Sequence, residues 1–151
     1  MLRAVSASLA LAMLLPIFGG VAIAQSADPK IAPAMAEFER NNVGTSPQTR
    51  SELIRCAAFW AKWSERVSEN YSASQIAQFP AGMRPEASKR TYDATFTAAV
   101  ELIGTTDAVA LKRADEDFSE QYEIGGFLLA ANLLSSANVK FFATLGSCGT
   151  P

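Results

Sequence analysis

Apolar residues recur along this chain at steps of three and four, the period of helices with one buried face. They nowhere alternate at period two over a useful length, which predicts an all-helical protein without strands. From Thr49 to Glu69, Leu53, Cys56, Trp60, Trp63 and Val67 draw one apolar stripe. Arg50, Arg55, Lys62, Glu65 and Arg66 fall largely off it, predicting a solvated face. Thr49 and Glu52 stand at capping-box spacing, where each side chain satisfies an amide left free by the first turn.

A connector around Asn70–Ser72 and Pro80–Gly82 follows. A second helix is predicted from Pro85 to Gly104, a residue suited to helix endings. Tyr92, Phe96, Ala99 and Ile103 mark its expected buried side, with Glu86 and Arg90 paired outside. Thr106-Asp107 opens a third helix with Leu111, Ala114, Phe118 and Tyr122 inward and Lys112–Glu116 and Arg113–Asp117 on its wet side. Beyond Gly125-Gly126, a fourth stripe joins Phe127, Ala131, Leu134, Asn138, Phe141, Leu145 and Cys148.

Residues 1–24 carry Arg3, an apolar centre from Leu9 to Phe18 and the small-residue boundary Ala22-Ile23-Ala24. That order predicts a secretory signal peptide cleaved before Gln25. An uncleaved anchor over Ala4–Ile23 is the alternative, which Pro16, Gly19 and Gly20 weaken. No later stretch is long and apolar enough to span a bilayer, so the mature chain is expected to be soluble, in a bacterial periplasm or outside the cell. Residues 25–48 contain Pro29, Pro33 and Pro47. Asp28-Pro29 and Ser46-Pro47 both read as helix starts, and Ile31–Arg40 as a short helix, docked or mobile. Residues 49–151 form the expected bundle domain.

Two cysteines in an exported chain, Cys56 and Cys148, predict one disulfide. The chain-entropy model values so long a loop at roughly 4–5 kcal/mol, although measured gains are more often about 2–4. A bridge between the start of one helix and the end of another requires the two to run antiparallel. The expected fold is therefore a small up-down four-helix bundle with a short extra N-terminal helix, closed by one disulfide. That geometry places a turn at Gly125-Gly126, unless a kinked long helix serves an irregular bundle.

Composition narrows the chemistry. The net charge of −2 argues against a nucleic-acid binder. Histidine is absent, which removes Ser-His and Cys-His catalytic pairs and the commonest zinc ligand. No Ser-x-x-Lys, Gly-x-Ser-x-Gly, P-loop or dinucleotide glycine pattern occurs, and no Cys-x-x-Cys. The acidic run Asp115, Glu116, Asp117, Glu120 and Glu123 lacks the glycine turn of a calcium loop and reads as a solvated face. No cofactor and no metal site are expected, and the chain reads as a non-enzyme.

Trp60 fits the core, whereas Trp63 fits core or surface equally. Phe59 and Phe142 lie beside their stripes. Together with Trp63 they make a candidate interaction patch, since exposed apolar patches mark partners. Asn138 intrudes on the last stripe, where a buried amide can fix register. The expected function is contact with an envelope or extracellular protein, as inhibitor, immunity factor or accessory subunit. The alternative is a binding module holding a small apolar ligand between helices.

Overall fold

A computed structural model describes residues 28–29, 31–44, 46–104, 106–130 and 136–149. The expected signal peptide and its cleavage boundary lie outside these. Six helices follow in chain order: α1 Ala32–Asn41, α2 Arg50–Asn70, α3 Ala73–Ile76, α4 Pro85–Ile103, α5 Ala108–Ala130 and α6 Ser136–Ser147. A 3-10 turn, Ala81–Met83, precedes α4, and no strand occurs among the described residues.

Local capping chemistry sets the helix ends. Thr49 and Glu52 form the expected capping box at the start of α2. Ser46-Pro47 therefore starts no helix, because the free amides of the first turn lie within reach of Thr49 instead. Asp28-Pro29 likewise precedes the first helix, which begins at Ala32 with Pro33 in its first turn. Gly104 ends α4 at a φ of 79°. Asp107 accepts from the amides of Val109 and Ala110 at 3.1 and 3.0 Å at the head of α5.

Helix α2 is the hub. Besides the expected stripe it buries Ile54, Ala57, Ala58, Phe59 and Lys62, because α4, α5 and α6 cover it from different sides. Side-chain neighbours fix the directions. Leu53 and Ile54 meet Ala99, while the Trp63 indole N–H donates to Met83 O at 2.7 Å, so α4 runs antiparallel to α2. Ile54 lies with Leu111, and Arg66 with Leu129, so α5 runs parallel to α2. Trp63 packs on Phe142 and Cys56 bonds to Cys148, so α6 runs back toward the start of α2.

That bridge spans 92 residues with the two Cα atoms 5.3 Å apart, as the cysteine count predicts. The position of the reversal differs from expectation. Helix α5 runs unbroken through Gly125-Gly126 to Ala130, so the reversal into α6 lies beyond the double glycine. The Lys62 side chain lies against the two glycines instead. A Cβ on Gly125 would stand 3.6 Å from Lys62 Cβ, and one on Gly126 3.3 Å from Lys62 Cε. Longer side chains there would displace the lysine stem.

The main core lies between α2 and α6. Trp60, Trp63, Phe141, Phe142 and Leu145 are all essentially inaccessible. The Trp63 ring meets Phe79 and Phe142 with centroids 5.2 Å away in edge-to-face geometry, and Phe59 stacks on Phe141 at 5.1 Å. Trp60 packs edge-on against Phe38, and its indole N–H has no acceptor among the described residues. Helix α1 lies on α6, where Gly146 admits it: a Cβ there would meet Phe38 O at 2.4 Å.

Candidate functional site

The expected surface patch of Phe59, Trp63 and Phe142 is corrected by burial. Their exposures are 2%, 0% and 0%, so all three belong to the core. The structure brings them together, but inside, because α6 lies directly over that side of α2. Phe127 departs in the opposite sense. Expected on the buried stripe, it is 76% exposed, since it lies on α5 whereas Asn138, Phe141 and Leu145 lie on α6; Ala131 and Leu134 lie outside the described residues. Asn138, Phe141, Leu145 and Cys148 are buried as expected.

The surface of interest arises on the other flank of α2. Of the expected α4 stripe Ala99 is buried, but Tyr92 and Ile103 are only partly so and Phe96 is exposed. Ser88, Thr91 and Thr95, at helical spacing with Ala99, face inward instead. The hydroxyls satisfy themselves by donating back one turn: Ser88 to Arg84 O at 2.7 Å, Thr91 to Ala87 O at 3.1 Å and Thr95 to Thr91 O at 2.7 Å. Small residues with no outstanding polar demand let α4 lie close against α2. Residues one step on, such as Phe96, are thereby rotated about 100° away, toward α5.

The backbones of α4 and α5 stand apart, and a groove bridged by side chains opens between them with α2 as its floor. Tyr92 and Phe96 of α4 and Phe118 and Tyr122 of α5 form a ladder of rings across it, with successive centroids 5.7–6.2 Å apart. The Phe96–Phe118 pair divides the groove into two bays. The first, about 200 Å³, is lined mainly by Ile54, Val100, Ile103, Leu111 and Ala114, with Asp115 at its edge. The second, about 320 Å³, is shallower and takes Ser64, Glu65, Lys89, Tyr92 and Tyr122.

The second bay is held by three coupled groups. Lys62, expected on a solvated face, is only 7% exposed because α5 crosses it at the double glycine. Its ammonium lies 3.1 Å from the Glu65 carboxylate and 3.6 Å from the centre of the Tyr122 ring. The Tyr122 hydroxyl donates to Glu65. Hydrogen bonds from Tyr122 and then Lys62 hold the Glu65 carboxyl below its ordinary value. Burial, reinforced by Glu65, pushes the Tyr122 phenol up, so it stays a neutral donor. Burial alone would lower Lys62, but its bonds to Tyr122 and Glu65 outweigh this and leave it raised.

Beside this pair of bays, Lys89 is matched by Asp93 at 2.7 Å, in place of the expected Glu86–Arg90 pair. Lys112 and Glu116 pair as expected, at 3.7 Å. The groove thus offers apolar contact at one end and neutralised hydrogen-bonding groups at the other. No group of three or more metal-ligating side chains converges among the described residues. Sequence reading missed Lys62 and the open position of Phe96. The available signal was Gly125-Gly126 inside an otherwise regular helical period.

The chain matches no known protein-family model, and comparisons with curated proteins and with solved structures find no similar sequence or fold.

Proposed function

We propose that this is a small exported helical protein that works by protein–protein contact rather than catalysis, as an inhibitor, immunity factor or accessory subunit. The α4–α5 groove is its contact surface. One observation carries this reading: Phe96, at the apolar bay lined by Ile54, Val100, Ile103, Leu111 and Ala114, is 40% exposed. A large apolar ring left open over an apolar cleft costs solvation unless a partner covers it.

Export to a periplasm or the extracellular space is supported by the leader pattern of residues 1–24 and by the Cys56–Cys148 bridge, which persists in oxidising compartments. No helix among the described residues is long and apolar enough to cross a membrane. We read the alternating directions of α2, α4, α5 and α6 as an irregular up-down four-helix bundle centred on α2. The partner sought is accordingly another envelope or extracellular protein.

Cross-linking in the native compartment with wild type and Phe96→Glu tests the proposal. The ring is 40% exposed, so the fold should survive. Loss of a specific cross-linked partner in the variant is expected. Identical partners with both forms, or none with either, would reject the groove as the contact surface.

The apolar bay of about 200 Å³ favours a second reading, a small apolar ligand held between α4 and α5. Solvent extraction of the natively purified protein and mass spectrometry distinguish the two. A stoichiometric lipid or cofactor would support the ligand reading, and an empty extract would remove it.

A further inference from the structure

We propose that the occupant of the α4–α5 groove is an amphipathic helix of a partner protein, with one apolar anchor, a second anchor two turns away and basic residues on its α5-facing side. This rests on the contact reading above and specifies the partner's chemistry.

Spacing supplies the first argument. The two bays are displaced by about seven residues along α5 and about nine along α2 and α4, roughly 10–13 Å at helical rise. Side chains at i and i+7 or i+8 of an incoming helix laid along the groove are separated by that distance. Helix-in-groove recognition reads such anchors. The Phe96–Phe118 pair between the bays would meet the small residues of the intervening turn.

The bays also differ in what they accept. The first has aliphatic walls and suits a Leu, Ile or Phe. The second presents the Tyr122 hydroxyl, Glu65 and Lys89, and suits an anchor with a hydrogen-bonding tip such as Tyr or Gln.

Charge supplies the independent argument. Of the five carboxylates of α5, Asp117 and Glu120 line a separate hollow beside Arg55 of α2 and Glu116 pairs with Lys112, whereas Asp115 borders the groove. All five carboxylates are exposed, and Asp115, at the edge of the apolar bay, forms no ion pair with any described residue. The cations on the opposite side do not offset this, since Lys62 and Lys89 already hold Glu65 and Asp93. Asp115 thus leaves an unmatched negative charge at the rim of the apolar bay, which favours Lys or Arg on the incoming helix and disfavours Asp or Glu.

The test uses the purified, disulfide-bonded chain and three synthetic 18-residue probes. One peptide has Leu and Tyr anchors seven residues apart with lysine flanks. The second replaces the lysines by glutamates, and the third keeps the composition of the first with the anchors scrambled. Binding is read by anisotropy, and its location by the methyl resonances of Ile54, Val100 and Leu111.

The lysine-flanked peptide should bind at least ~10-fold more tightly than either control and shift those three methyls. Asp115→Lys should weaken it about 5-fold, and Phe96→Glu should remove the methyl shifts. Equal affinity for the glutamate-flanked or scrambled peptide, or shifts confined to other methyls, would overturn the inference. So would decanoate shifting the three methyls where the lysine-flanked peptide does not. If this peptide fails while Phe96→Glu still loses its cross-linked partner, the basic-helix inference falls and the contact reading stands. Loss of both results removes both.

Discussion

The two flanks of α2 solve the same packing problem in opposite ways. Toward α6, large rings and a sulfur bridge close the interface: Trp63, Phe141, Phe142 and Cys148 are wholly inaccessible. Toward α4, the contact is made by Ser88, Thr91, Thr95 and Ala99, and the larger rings of the same helix are left over the groove. Apolar periodicity therefore locates a helix without deciding which of its faces closes. A face of small side chains whose hydroxyls bond to their own helix can displace an aromatic stripe from the core, because it permits closer approach at little polar cost.

The largest test of this contrast pairs an aromatic from each flank. Trp63→Ala should cost about 3–5 kcal/mol in denaturant unfolding, through lost volume and the lost bond to Met83. Phe96→Ala, at a 40% exposed position, should cost less than about 1 kcal/mol. Equal losses would erase the distinction between core and groove.

The bridge comes next. Cys56→Ser with Cys148→Ser should lower stability by about 2–4 kcal/mol and the melting temperature by roughly 10 °C. An unchanged melting curve would show that α2 and α6 hold together without the covalent tie.

Two glycines then separate close approach from mere helix weakening. Gly146→Ala drives a Cβ to 2.4 Å from the Phe38 carbonyl and should destabilise by about 1–3 kcal/mol, measured by urea unfolding. Gly125→Ala meets Phe141 at an ordinary 3.5 Å and should be neutral or stabilising by up to about 1 kcal/mol, because alanine favours the helix. The opposite ranking would misplace α1 on α6.

The smallest effect concerns pH. Burial beside Trp63 and Phe79 pushes the Tyr71 phenol up to about 12. The folded state thus retains a proton that the unfolded chain loses near pH 10. The Tyr71 contribution to stability is whole below about pH 10 and is lost as pH rises toward 12. Tyr71→Phe should flatten that part of the alkaline unfolding curve, and an identical curve for both proteins would contradict it.

Features governed by neighbours in sequence were legible beforehand. The Thr49–Glu52 box, the Gly104 ending, the Asp107 cap and the cysteine pairing all follow from local bonding or from a count of two. Features governed by distant neighbours were not. Lys62 is polar by type, and only the crossing of α5 at Gly125-Gly126 buries it. Phe59 and Phe142 lie beside their stripes, and only the coverage of α2 from several sides brings them inside. For the groove, sequence showed which rings exist, whereas the choice between the two stripes of α4 depended on how closely α2 could be approached.

The facing of α4 can be read directly by NMR with a soluble nitroxide, comparing the Thr95 methyl with the Phe96 ring. These neighbours have exposures of 0% and 40%. Strong broadening of the Phe96 ring with an unaffected Thr95 methyl is expected. A shielded Phe96 ring beside a broadened Thr95 methyl would mean that α4 is turned the other way, leaving no groove to bind a partner.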